Sequence, residues 1–80
     1  MSPTVFRYKK YRFFFFSREE SRMHIHILSP AGEAKFWIEP MIALADYSGY
    51  SDRELKQLAK VVEDHAEEIK KAWKKHFSIS

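Results

Sequence analysis

Met23-His-Ile-His-Ile-Leu28 and Glu33-Ala-Lys-Phe-Trp-Ile38, joined by Ser29-Pro-Ala-Gly32, decide the fold. Each stretch alternates apolar and polar side chains with period two, the pattern of a half-buried strand. The Pro and Gly between them suit a short connection that needs fixed or positive backbone angles. The spacing therefore predicts an antiparallel hairpin. If Met23, Ile25 and Ile27 join Ala34, Phe36 and Ile38 on the buried side, parity turns His24, His26, Lys35 and Trp37 the other way.

Working outward toward the N-terminus, Val5, Phe6, Tyr8 and Tyr11 to Phe16 are β-branched or aromatic almost throughout, which suits pleated backbone better than helix. They predict a second hairpin with Lys9-Lys10 as its turn. Tyr11, Phe13 and Phe15 share one side of it, while Arg12, Phe14 and Phe16 share the other, so both sides carry rings. Polar Ser17 to Arg22 reads as a loop.

Toward the C-terminus, residues 41–50 read as a loop or short helical turn. Ser51-Asp-Arg-Glu54 then spells a capping box, with Asp52 complementing the positive end of a helix dipole. Leu55, Leu58, Ala59, Val62, Ala66, Ile69, Ala72, Trp73 and Phe77 follow at three- and four-residue steps, one apolar stripe along a helix of about 26 residues, roughly 39 Å. The expected architecture is α+β: two consecutive β-hairpins forming a mostly antiparallel sheet, with one long C-terminal helix packed across one face. The 80 residues make a single domain, β-rich over 1–40 and helical over 51–77.

The chain carries fourteen basic and eleven acidic residues, and its net +3 comes from the N-terminal half. In Arg7-Tyr-Lys-Lys-Tyr-Arg12 cations alternate with aromatics and no acid intervenes. That pattern can hold phosphates while bases stack, and it equally keeps a sheet edge soluble. There is no cysteine, which excludes disulfides and Cys-based zinc sites. No Walker loop or dinucleotide fingerprint occurs in the sequence, whose two glycines are Gly32 and Gly49, so NTPase, kinase and Rossmann readings fall away. No apolar run approaches the roughly 20 residues of a membrane span. The reading is a cytoplasmic protein with no membrane contact, no cofactor and no metal.

One helix covers one side of a sheet. The uncovered side would then expose Phe14, Phe16 and Trp37, edged by Arg12, Lys35 and the two histidines, which calls for something to sit on it. A protein partner or a second copy of the chain is the first expectation, and possible RNA the alternative. His24 and His26, at i and i+2 of one strand, are the candidate catalytic pair. One would take a 2′-hydroxyl proton and the other protonate the leaving oxygen in metal-independent RNA cleavage, with Arg12 or Lys35 stabilising charge and Trp37 stacking a base. On this reading, replacing both histidines abolishes RNA cleavage and leaves the fold and partner binding largely intact.

Pro3-Thr-Val5, Tyr11-Arg-Phe-Phe-Phe15 with Ser17, His24-Ile-His26-Ile27, Ala34-Lys-Phe-Trp-Ile38 with Pro40, Gly49-Tyr50, Glu54-Leu55, and Trp73 before Phe77 resemble the bacterial family catalogued as domain of unknown function 4160. The resemblance spans nearly the whole chain. It implies a small bacterial protein, often encoded beside another small protein, in gene pairs of toxin and antitoxin type. Carried over position by position, it draws attention to His24, His26, Lys35, Phe36, Trp37 and Arg12. Where members usually place prolines before the first histidine and a glycine before the tyrosine, this chain has Arg22-Met23 and Lys10, which implies a freer entry into the histidine strand.

Overall fold

The computed structural model describes residues 4–16 and 22–77. Five strands, β1 (Thr4–Tyr8), β2 (Tyr11–Phe14), β3 (His24–Ser29), β4 (Gly32–Trp37) and β5 (Ala43–Ser48), form one antiparallel sheet in chain order. Two helices follow, α1 (Asp52–Asp64) and α2 (Ala66–His76). The fold is α+β. Both expected hairpins are present: Lys9-Lys10 turns β1 into β2, with Lys9 at φ 54°, and Pro30-Ala31 turns β3 into β4. The loop expected over 17–22 lies, up to residue 21, outside the described residues. Among the described residues no helix is long and apolar enough to cross a membrane.

The covered face is the one parity predicts. Phe13, Phe15, Ile25, Ile27 and Phe36 are buried against Leu58, Val62, Ile69 and Trp73 of the helices. The capping box forms with both of its bonds: Glu54 N–H donates to Ser51 Oγ at 3.2 Å and Ser51 N–H to the Glu54 carboxylate at 3.3 Å.

Two expectations are corrected. Residues 41–50 hold a fifth strand instead of a loop or helical turn. Without β5, the outer backbone edge of β4, which carries buried Ala34 and Phe36, would lack hydrogen-bond partners. Its register shifts between Lys35 and Phe36, where β5 carries the extra residue Ala45. The helix, in turn, is two helices. At His65 (φ −108°, ψ 14°) the N–H is shared between the carbonyls of Val61 and Val62, at 3.1 and 3.2 Å, and the ring turns back to Val61 O (2.9 Å) and stacks on Phe6 at 4.2 Å. Beyond this break, α2 brings Trp73 onto Phe15 (5.2 Å) and His24 (5.2 Å).

β5 is tied down at its far end by the chain's two glycines. Gly49 adopts φ +87°, and a methyl group there would meet Ala31 O, just as one on Gly32 would meet Ser48 O. Tyr50 Oη donates its one proton to Gly32 O at 2.7 Å, so the Ser29 hydroxyl, 2.8 Å away, must be the donor toward Tyr50. Gly49-Tyr50, singled out by the family pattern, is thus a clasp between the β3–β4 turn and the end of β5.

Candidate functional site

The open face of the sheet is built row by row from antiparallel register, since directly opposed residues share a face. Phe14 lies opposite His26, His26 opposite Lys35, and Lys35 opposite Asp46. An aromatic ring, an imidazole, an ammonium and a carboxylate therefore stand in one line across four strands, about 14 Å from end to end at the usual strand spacing. The next row is Arg12, Leu28, Glu33 and Ser48, and the row on the other side pairs His24 with Trp37.

Cations lie over rings along this face. The Arg12 guanidinium is 4.6 Å from the centre of Phe14, and its Nε donates to Thr4 Oγ1 at 2.7 Å. Arg22 lies over Trp37 at 4.1 Å, with its Nε donating to Glu39 O at 3.1 Å, and Lys35 lies over the same indole at 4.4 Å. Phe14 also meets Phe16 edge-on at 5.3 Å and stacks on His26 at 5.6 Å. This corrects the picture of an open apolar face. Phe14 is only 6% exposed and Trp37 is half-buried, so among Phe14, Phe16 and Trp37 only Phe16, at 46%, is exposed. The side chains of the face cover one another: long cationic side chains lay their stems and charged ends over the rings.

The two histidines separate. His26 is half-buried in the central row and lies 4.3 Å from Phe16. His24 has 0% exposure; its ring contacts Trp73 as well as Trp37, and its Nδ1 is 2.7 Å from Arg22 O. The rings of the pair are 4.9 Å apart and nearly perpendicular. His24 is therefore held from several sides and presents no surface to a ligand. Among the described residues no group of three or more His, Cys, Asp or Glu side chains is gathered as metal ligands.

A concavity of about 250 Å³ opens on this face, lined by Phe14, Phe16, His26, Lys35, Asp46 and Tyr47 among others. It unites three of the expected partner-binding residues, Phe14, Phe16 and Lys35, with one expected catalytic residue, His26. Arg12 and Trp37 flank it. Of the Arg7 to Arg12 stretch, Arg12 and Arg7, directly opposite each other in register, join the face, while Lys9 and Lys10 form the hairpin turn beside Tyr8 and Tyr11.

Sequence reasoning misses Asp46 and Tyr47, because residues 41–50 read as a loop or short helical turn. The only available sign is that Pro40 and Gly49 bracket a strand-length stretch. It misses Arg22 too, since nothing in sequence brings that residue to Trp37. A second groove, about 320 Å³, runs between β5 and α1, lined by Phe36, Ile42, Leu44, Leu55 and Ala59 with Lys56 and Glu63 at hand.

On the far side of the core, Tyr11 Oη donates to Glu54 at 3.1 Å and lies edge-on to Tyr50 at 5.8 Å. Burial, then the neighbouring Glu54 carboxylate, pushes the Tyr11 phenol up from its ordinary value, and burial does the same for Tyr50. The Ser51 backbone N–H, followed by the Tyr11 hydroxyl, holds Glu54 below the usual carboxylate range.

No curated protein and no solved structure matches the chain at a significant level. The family described as Domain of unknown function (DUF4160) matches residues 11–74, which takes in β2 through most of α2 and every residue of the central row. With the match extending over most of its length, the chain belongs to the DUF4160 family.

Proposed function

We propose that the chain is a small interaction module that works through the open face of its sheet, and that a single-stranded RNA segment is the ligand this face fits best. The observation that carries the reading is the row of Phe14, His26, Lys35 and Asp46, flanked by Arg12 over Phe14 and Arg22 over Trp37. Cations interleaved with rings suit a ligand that alternates phosphates and bases. They suit a flat apolar seam with a second copy less well, because self-covering has left Phe16 and Leu28 as the large apolar side chains exposed there. Binding is favoured over cleavage: with His24 enclosed, His26 is the one member of the histidine pair that could touch a reacting group. In the cleavage variant of the reading, His26 would transfer the proton and Arg12 or Lys35 would hold the phosphate.

A protein partner, such as the other half of a bacterial toxin and antitoxin-like gene pair, is the second reading, and a different surface favours it. Met41, Leu44 and Tyr47 are exposed along the β5 edge, beside the apolar groove against α1. An edge strand next to such a groove offers backbone pairing together with apolar burial.

The deciding experiment is fluorescence anisotropy with a labelled single-stranded RNA at about 50 mM salt, where phosphate contacts are strong. Binding should weaken with added salt, and Lys35→Ala should weaken it further and flatten the salt dependence by about 0.7 per lost phosphate contact. Absence of binding, or a Lys35→Ala variant that binds like the parent, would overturn the RNA reading and leave the partner at the β5 edge.

A further inference from the structure

We infer that the concavity on the open face is a base pocket that selects guanine, with Asp46 as the reading residue. The inference rests on the RNA reading above and adds the identity of the base. The Phe16 ring lines the concavity and is 46% exposed, and an exposed ring is what a splayed-out base stacks on. At about 250 Å³ the space is smaller than the roughly 300–1,000 Å³ of ordinary ligand pockets and suits a single base.

Asp46 supplies the selection. Its Oδ1 accepts the Tyr47 N–H at 2.9 Å, which fixes the carboxylate relative to β5, and its register position opposite Lys35 sets it at the end of the central row. An ionised carboxylate accepts only, through about four lone-pair positions on two oxygens. The Watson–Crick edge of guanine presents two adjacent donors, N1–H and the 2-amino group, which a carboxylate can accept side by side. Adenine and cytosine set a ring-nitrogen acceptor next to their amino donor, and uracil flanks its one N–H with two carbonyls. Each of these turns an acceptor toward Asp46. Lys35, across from Asp46 and lining the same space, supplies the cation for the phosphate attached to the base.

The test uses the full chain and uridine-rich RNA pentamers whose central base is guanine, adenine, cytosine, uracil or hypoxanthine. Guanine should bind about tenfold or more tighter than adenine, as a bidentate contact implies. Hypoxanthine, which lacks the 2-amino group, should fall between them. Asp46→Asn should lose the guanine preference and bind the guanine and uridine pentamers alike; the asparagine carbonyl can still accept the Tyr47 N–H. Equal affinity for all five pentamers, or a preference that survives in Asp46→Asn, would overturn the guanine pocket while leaving RNA binding in place. Binding to none would overturn both. The hypoxanthine comparison needs no variant, so the guanine preference stays falsifiable even if Asp46→Asn fails to fold.

Discussion

His24 and His26 are two residues apart on one strand and end in different surroundings. His26 takes its place in the row of mixed chemistry on the open face, whereas His24, at the entry to β3, is closed in by Trp37 and by Trp73 from α2. Period-two parity correctly assigned both to the face away from Ile25 and Ile27, but parity carries no information about a helix end that reaches the same imidazole. The expectation that replacing both histidines leaves the fold largely intact therefore changes. His24→Ala should destabilise the fold by about 2–5 kcal/mol, the cost of emptying a fully buried site, a large share of a small domain's stability. His26→Ala, at a half-buried position, should cost less. Urea denaturation of the two variants checks this; equal midpoints would contradict it. From residue 22 onward the entry to β3 makes contacts of its own: Arg22 O meets His24 Nδ1, and the Arg22 side chain spans Trp37 and Glu39 O.

Among the elements, the hairpins and the helix start were legible because local rules fix them. Alternation sets strand faces, Lys9-Lys10 and Ser29-Pro-Ala-Gly32 interrupt it, and Ser51 with Glu54 closes a box that depends on four consecutive residues. β5 was not legible. Five of its six residues are exposed, so no burial pattern was available to imprint alternation on Ala43-Leu-Ala-Asp-Tyr-Ser48, and the extra residue Ala45 breaks what alternation there is. Its existence depends on what lies beside it: the open edge of β4 and the clasp of Gly32 with Gly49. Gly49→Ala, which places a side chain at φ +87° and against Ala31 O, should cost more than about 1 kcal/mol and loosen the end of β5 first. Amide hydrogen exchange should show Tyr47 and Ser48 losing protection ahead of β3. Uniform loss across the sheet would mean that the clasp does not act locally. The break at His65 escaped sequence reading for a related reason, since Val62, Ala66 and Ile69 keep the apolar stripe continuous across it.

At the scale of the whole molecule, stability is linked to pH from both sides. Tyr11 and Tyr50 have phenol values raised above the ordinary 10.0, so the folded state holds those protons more tightly than the unfolded chain. Their contribution is complete below about pH 10 and is lost as pH rises through the raised values. Glu54 works in the opposite sense: its value is held below 4.5, so its contribution is present above that and fades as pH falls through the lowered one. Thermal melts across pH should therefore fall at the alkaline end, and Tyr11→Phe should soften the alkaline fall and move the Glu54 titration upward. A Tyr11→Phe profile that overlays the parent at both ends would refute this linkage. Backbone periodicity and capping act within a few residues, and they are enough to fix the α+β class, both hairpins, the helix start and which residues of β2, β3 and β4 leave the covered face. Only the tertiary structure decided that Phe14, His26, Lys35 and Asp46 stand in one row, that His24 is enclosed, and that Arg22 meets Trp37. Those outcomes depend on register between strands and on where a helix end lands, and such contacts form between chain segments whose separation no local pattern encodes.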